Sequence, residues 1–344
     1  TKRKTVQHLS GGIVKEVLVQ EGQQVKEGEP LVRLDGAVAR ANYEAVRQRY
    51  LGYRATQSRL FAEQAGLGTI DFHPDVKTAM SDPLIKQQVA TQQQLIQARR
   101  AALAADLQGI EESMQGLKEQ LGSYQNILVQ RRNQLALLTE ELTNTRGMVK
   151  EGYAPRNRQL ELERMVADSN AGIADLLGNS LRVSRQIAEL NQRSLARKQE
   201  YRKEVETQLA DVTREVQSDA EKFVAVTADL DRMEIKAPAT GQVVGLTVQT
   251  VGAVLQPGQK LLDVVPDSQT LLLEAHIPPH LIDKVQAGLS TDVRFNAFAH
   301  SPQLVVEGKV LSVSGDLLSD PAQPQFSYFL ARVQVTPDGM KTLG

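Results

Sequence analysis

Between residues 10 and 35, in SGGIVKEVLVQEGQQVKEGEPLVRLD, apolar positions alternate (Ile13, Val17 and Val19, then Leu31, Val32 and Leu34), punctuated by Gly12, Gly22 and Gly28. The spacing predicts short strands joined by tight turns in which glycine supplies a positive φ. One or two isolated hairpins are marginal in water, so their apolar face needs a second sheet from elsewhere in the chain. The same spacing recurs in IKAPATGQVVGLTVQTVGAVLQPGQKLLDVV, residues 235 to 265. There Gly241, Gly252 and Gly258 match the earlier glycines, and Leu261 and Val264 stand where Leu31 and Leu34 stood. Two such halves facing each other bury their apolar faces as a small flattened barrel.

Between the halves the period changes from two to that of a helix. Asp35 is an N-cap candidate, and residues 37 to 65 form a first predicted helix with Val38, Ala41, Ala45, Tyr53 and Leu60 among its apolar positions. GLGTIDFHPDVKTAMSDP breaks it with Gly66, Gly68 and Pro74, and Asp82-Pro83 restarts it as cap and first helical residue. From there Leu103, Leu107, Ile110, Met114, Leu117, Leu121, Tyr124, Leu128, Leu135, Leu138, Leu142 and Val149 keep one four-and-three register, interrupted at Arg131 and Thr145. The register returns in Leu162, Val166, Ile173, Leu176, Val183, Ile187, Leu190 and Tyr201, slips by one residue between Val205 and Leu209, and resumes to Met233. That is a heptad seam with a stutter. In VKEGYAPRN, Gly152 ends one arm and Pro155 opens the other, which predicts an antiparallel helical hairpin. At 1.5 Å per residue each arm is on the order of 100 Å long.

From Thr270 the pattern is again that of strands: TLLLEAHIP, STDVRFNAF, LVVEGKVLSVSG and FSYFLARVQV, with a short helix in PPHLIDKVQAG. These predict a second small barrel. The expected organisation is therefore α+β: 1–35, an N-terminal half-barrel; 36–80, the first helix and break; 81–234, the long hairpin with its tip near 150–157; 235–267, the C-terminal half-barrel; and 268–344, the second barrel.

Composition narrows the chemistry. The 344 residues carry a net charge of −1, which provides no basic field for nucleic acid, and nucleic acid is not expected as a partner. Cysteine and tryptophan are absent and aromatics are 4%, so disulfides, thiolate metal sites and cysteine nucleophiles are excluded. No run of 18 apolar residues exists, and TKRKTVQHLS has no signal-peptide core. TKRK is a basic cluster more economically read as a solvated terminus.

A hairpin whose ends meet in one head also suits coiled-coil ATPases. Neither EGK at 307–309 nor PGQK at 257–260 makes the required phosphate loop. His276 and His280 have the spacing of a zinc pair, but Pro278 and Pro279 between them oppose a shared helical face. No catalytic constellation stands out, so no enzyme activity, cofactor or metal is expected.

The paired half-barrels resemble the biotinyl/lipoyl domain fold. In carrier proteins of that fold an attachment lysine joins the halves directly. Here about two hundred residues separate Asp35 from Ile235 and no Met-Lys-Met tip exists, leaving Lys15 and Lys26 as solvated strand and turn lysines. Split halves, an intervening hairpin and a trailing barrel together resemble the HlyD family of periplasmic adaptor, or membrane fusion, proteins. VQHLSGGIVKEVLVQEGQQVKEGEPLVRLD, MVKEGYAPRNRQLELER, IKAPATGQVV and LLLEAHIPPHLIDKVQAGLSTDVRF carry the likeness. The first is most similar to adaptors of type I secretion systems that export proteases, lipases or haem-binding proteins.

The resemblance implies an adaptor that bridges an inner-membrane ABC transporter to a TolC-like outer-membrane channel, conducts a secreted protein substrate and assembles as a hexameric ring. It implies a periplasmic location and an inner-membrane anchor, a transmembrane helix expected before Thr1. It also places the hairpin tip against the channel, where related adaptors carry a spaced Arg-Leu-Ser motif. Asn144, Met148 and Pro155 align with those positions, and only Met148 is a conservative match. Around them Val149, Tyr153, Ala154 and Asn157 complete the candidate docking site, where apolar groups stand on a turn expected to be polar. An ordinary helix-helix turn packed on itself is the competing reading of the tip. An efflux-pump adaptor and a lipoyl/biotinyl carrier module are the alternatives to the secretion reading.

Overall fold

The computed structural model describes residues 3–266, 272–295, 304–320 and 323–339. Contacts divide the chain into two units, residues 1–41 with 227–344, and residues 42–226.

In the first unit the halves do more than face each other. The N-terminal half supplies β1 (Lys4–Gln7), β2 (Gly12–Val17), β3 (Gln24–Val25) and β4 (Pro30–Leu34). The C-terminal half supplies β5 (Glu234–Lys236), β6 (Gly241–Val244), β7 (Val254–Leu255) and β8 (Lys260–Pro266). The two sheets run β1-β8-β6-β3 and β5-β4-β2-β7, so each half sends its first and third strands into the other half's sheet. The exchange is symmetric: Val6 lies opposite Leu262 as Val32 lies opposite Ile235. Its turns are symmetric too, with φ of 81° and 82° at Gly22 and Gly28 and of 88° and 75° at Gly252 and Gly258.

Val14, Val25, Leu31, Val32 and Leu34 pack with Val243, Leu255, Leu261, Leu262 and Val264 in one core. Strand alternation alone points Ile13 inward, yet Ile13 is 50% exposed and Val14 is buried. The register of β2 on β4 shifts between Val14 and Glu16, and this irregularity exchanges the faces.

The trailing strands are β9 (Leu272–Ile277), β10 (Ser290–Phe295), β11 (Leu304–Val313), β12 (Leu318–Asp320) and β13 (Gln323–Val335), with a 3-10 helix at Pro279–Lys284. They form an antiparallel sheet ordered β10-β11-β13-β12, with β9 also on β13. His276 stacks on Tyr328 from β9, while His280 sits in the 3-10 helix, so the two do not share a helical face.

The second unit is built on α1 (Ala37–Gln64), α2 (Pro74–Thr78), α3 (Pro83–Lys150) and α4 (Arg156–Asp231). Asp82 caps α3, its Oδ1 accepting from the Leu84 N–H at 2.9 Å. The break contains the short helix α2, which the sequence pattern does not predict; His73 caps it, its Nδ1 accepting from the Asp75 N–H at 3.1 Å. The first helix packs on the hairpin: Tyr50, Leu51 and Ala55 meet Val76, Ile85, Val89 and Val216. Tyr50 stacks on Phe223 with centroids 5.4 Å apart. Charge is buried in this three-helix section, where Glu63 lies 2.9 Å from Arg99 and 3.0 Å from Arg59.

Beyond the end of α1 only two helices pair. Every seam residue named from the sequence between Leu103 and Val149 is buried or half-buried, and Arg131 alone turns to solvent. Thr145 stays in the seam, buried among apolar layers.

Candidate functional site: the hairpin tip

The last turn of α3 closes in a Schellman motif. The Gly152 N–H donates to the Val149 carbonyl at 3.1 Å and the Tyr153 N–H to the Met148 carbonyl at 2.8 Å, with Gly152 at φ 84°. This conformation needs glycine, and it satisfies carbonyls that a helix end otherwise leaves orphaned. On the other side the Arg158 N–H donates to the Pro155 carbonyl at 3.1 Å, so α4 starts directly after proline. The turn is short and pinned by backbone hydrogen bonds at both helix ends.

About two turns below, Leu142 and Leu162 are buried in the seam. Two ion pairs flank them. Arg146 reaches Glu163 at 2.8 Å on one side of the hairpin and Arg158 reaches Glu141 at 2.7 Å on the other. The Arg146 hydrogen bond, with a smaller one from Gln159, holds the Glu163 carboxyl below the usual carboxylate range. The hydrogen bonds that Arg158 donates to Glu141 and then to Glu161 raise its own value. These charges form a rim beneath the tip.

Above the rim, exposed apolar groups stand beside the exposed charges of Lys150, Glu151 and Arg156. Tyr153 is 78% exposed and Met148 48%. Pro155, Asn157 and Asn144 are exposed, and Val149 and Ala154 are half-buried. The structure thus brings Met148, Val149, Tyr153, Ala154 and Pro155 together at the turn. Asn144 stands one helical turn before Met148 on the same flank. Sequence reasoning missed Leu160, an exposed apolar residue beside the tip, and the Arg146–Glu163 clamp. The signal for the clamp was present, since both residues flank the seam at equivalent heptad positions.

The hairpin and the trailing strands have counterparts. Residues 39–229 match the family model described as AprE, long alpha-helical hairpin, and residues 271–344 match AprE-like, beta-barrel domain. The alkaline protease secretion protein AprE of Pseudomonas aeruginosa is 36% identical over 342 residues, covering 99% of this chain and 79% of that protein. This chain belongs to the AprE family of type I secretion membrane fusion proteins. Within the AprE family, the proteases secretion protein PrtE of Dickeya chrysanthemi is 32% identical over 341 residues, 99% of this chain and 76% of that protein. The crystal structure of the soluble domain of LipC, a membrane fusion protein of a type I secretion system, superposes with a TM-score of 0.72 at 36% identity. That superposition covers 77% of this chain and 100% of LipC. AprE-family membership accounts for the α+β architecture and for an adaptor role in protein secretion.

Proposed function

We propose that this adaptor bridges an inner-membrane ABC transporter to a TolC-like outer-membrane channel in the periplasm. In this reading the tip residues Asn144, Met148, Val149, Tyr153, Ala154, Pro155 and Asn157 meet the channel. The chain works as a conduit wall for a secreted protein: it seals and positions, and it carries out no bond chemistry. Six copies form the ring, and a transmembrane helix preceding Thr1 holds it at the inner membrane. Among the described residues no helix is long and apolar enough to cross a membrane.

The observation that carries the docking reading is the exposure of Tyr153 and Met148 on a turn closed by backbone hydrogen bonds. Exposed apolar side chains held on a hydrogen-bonded turn above a charged rim match a partner that supplies an apolar pocket and a polar edge. A turn that packed on itself would bury the Tyr153 ring.

The test uses the absence of cysteine. Full-length protein carrying Tyr153→Cys is produced in cells and treated with a thiol crosslinker, with Val224→Cys, which replaces another exposed residue far from the tip, as control. A specific adduct between Tyr153→Cys and an outer-membrane channel protein is expected. Equal silence at both sites, with the full-length protein present, overturns tip docking.

A further inference from the structure

Where α1 lies against the start of α3, a hollow of about 430 Å³ opens on the three-helix section. That volume falls within the about 300–1,000 Å³ usual for small-molecule sites. Its lining consists of amide, hydroxyl and glycine surfaces, one arginine and the half-buried ring of Tyr53.

Gln88 on α3 sets the floor. A Cβ at Gly52, in the middle of α1, would lie 3.0 Å from the Gln88 Oε1 and 3.5 Å from its Cδ and Nε2, so glycine there lets the amide lie against α1. Glycine weakens a mid-helix position. The Gln88 Oε1 is buried and has no hydrogen-bond partner, which costs stability as well. Leucine at this position would cover the α1 surface without an orphaned carbonyl, so packing alone accounts for neither residue.

The other polar groups of the lining are each half engaged. Thr56 and Thr91 donate their hydroxyl protons to the Gly52 and Gln87 carbonyls at 3.1 and 3.0 Å, which leaves both oxygens able to accept. Gln48 donates to Asp82 at 2.8 Å and keeps its carbonyl, while Gln92 accepts from Arg59 at 2.7 Å and keeps its NH2 group. Arg49, the charge in the lining, is matched by Asp219. The hollow therefore offers donors and acceptors together, without net charge, beside an aromatic ring.

That combination selects a class of ligand. An ion would leave water and find no net opposite charge, and a purely apolar molecule would strip water from the amides without replacing its hydrogen bonds. A sugar ring carries hydroxyls that both donate and accept, and C–H faces that pack on an aromatic ring. We propose that this hollow between α1 and α3 binds a neutral sugar. Gln88 is its centre: its Oε1 accepts a hydrogen from the ligand, and rotation about the last side-chain bond presents either end of the amide. The site stands at the end of α3 remote from the tip, so it is independent of channel docking.

The test is ligand-observed nuclear magnetic resonance on the purified chain with two neutral tetrasaccharides, of N-acetylglucosamine and of glucose, and one anionic tetrasaccharide, of galacturonic acid. Saturation transfer to a neutral tetrasaccharide is expected. Transfer confined to the N-acetylglucosamine tetramer assigns the source to an amino-sugar glycan, and transfer to both assigns it to hexose chains in general. Gln88→Leu removes the amide, and Thr91→Arg fills the hollow from an exposed position. Each is expected to weaken binding at least about tenfold with helical circular dichroism unchanged. Gln88→Leu is also expected to keep or raise the unfolding temperature, because a buried unpartnered carbonyl is lost. No transfer to either neutral sugar, preference for the anionic one, or undiminished binding in either variant overturns the proposal.

Discussion

Arg49 grips Asp219 with two parallel hydrogen bonds, Nε to Oδ2 at 2.7 Å and Nη2 to Oδ1 at 2.6 Å, joining α1 to α4 across 170 positions of sequence. The Asp219 carboxylate is fully buried while the Arg49 side chain is about half exposed, and Lys222 lies 3.8 Å from the same carboxylate. The acid therefore occupies a seam position in the packed section and depends on cations that reach it from the edge. Hydrogen bonding and charge from Asp219 raise Arg49 above its ordinary value.

Removing the arginine isolates the acid. Arg49→Ala is expected to destabilise the three-helix section, by less than breaking a fully enclosed pair because the Arg49 side chain is half exposed and Lys222 still faces Asp219. Adding Asp219→Leu in the same chain is expected to recover most of the loss, since the seam then holds an apolar residue. Chemical denaturation followed by helical circular dichroism checks both.

The half-barrels carry an acid-sensitive clasp. Glu21, in the loop after β2, accepts from the Gly245 and Leu246 N–H groups at 2.7 Å each. Those bonds, Leu246 first, hold its carboxyl below the ordinary value of 4.5. The native state thus binds this proton more weakly than the unfolded chain. The stabilisation is complete above the unfolded value and is lost as pH falls through the lowered native one. Glu21→Gln is expected to cost stability above about pH 5, and progressively less as pH falls below 4.5 through the lowered native value. Asp263, lowered by Lys260 and then by Thr5, contributes with the same sign, so the variant keeps some acid sensitivity. Denaturant midpoints of both proteins across this range give the comparison.

Matched positions of the repeat are not equally tolerant. A Cβ at Gly241 would lie 2.0 Å from the Val265 carbonyl oxygen and 2.8 Å from the Pro266 Cα, all rigid backbone where β6 meets β8. At the matching Gly12 it would meet only the Leu34 side chain at 3.2 Å, which can shift, and the cost there comes instead from a φ of 152°. Gly241→Ala is expected to cost about 3 kcal/mol or more. Gly28→Ala, which meets open space at a φ of 82°, is expected to cost about 1–2 kcal/mol. Thermal unfolding of the two variants orders them.

The elements were legible where one period dominated. Heptad spacing located α3 and α4, and the glycine spacing located both half-barrels, because each pattern reports the face that a partner must cover. What escaped depended on neighbours remote in sequence. The inward turn of Val14 follows from a register shift on β4, and the strand exchange between halves leaves no local trace in either half. Asp219 and Ser169 occupy buried seam positions without being apolar, so a search for leucines passes over them. The tip residues were legible as exposed apolar groups on a turn. Leu160 was not, because it lies on a helix flank beside a stronger seam.

Tip chemistry and tip stability are separable. Met148 and Tyr153 contribute their backbone to the Schellman motif, while their side chains remain largely in solvent. Met148→Ser with Tyr153→Ser keeps every backbone bond of the turn and leaves the Leu142–Leu162 layer untouched. Stability is expected to change by no more than about 0.5 kcal/mol, the usual range for exposed substitutions. If these side chains form the docking contact, secretion of the exported protein is expected to fall at least about tenfold at equal adaptor abundance, the equivalent of about 1.4 kcal/mol of lost binding. Leu162→Ala supplies the contrast, since it removes a fully buried side chain and is expected to cost about 2–3 kcal/mol. Secretion that survives the double serine variant at normal stability would remove the tip side chains from the docking surface.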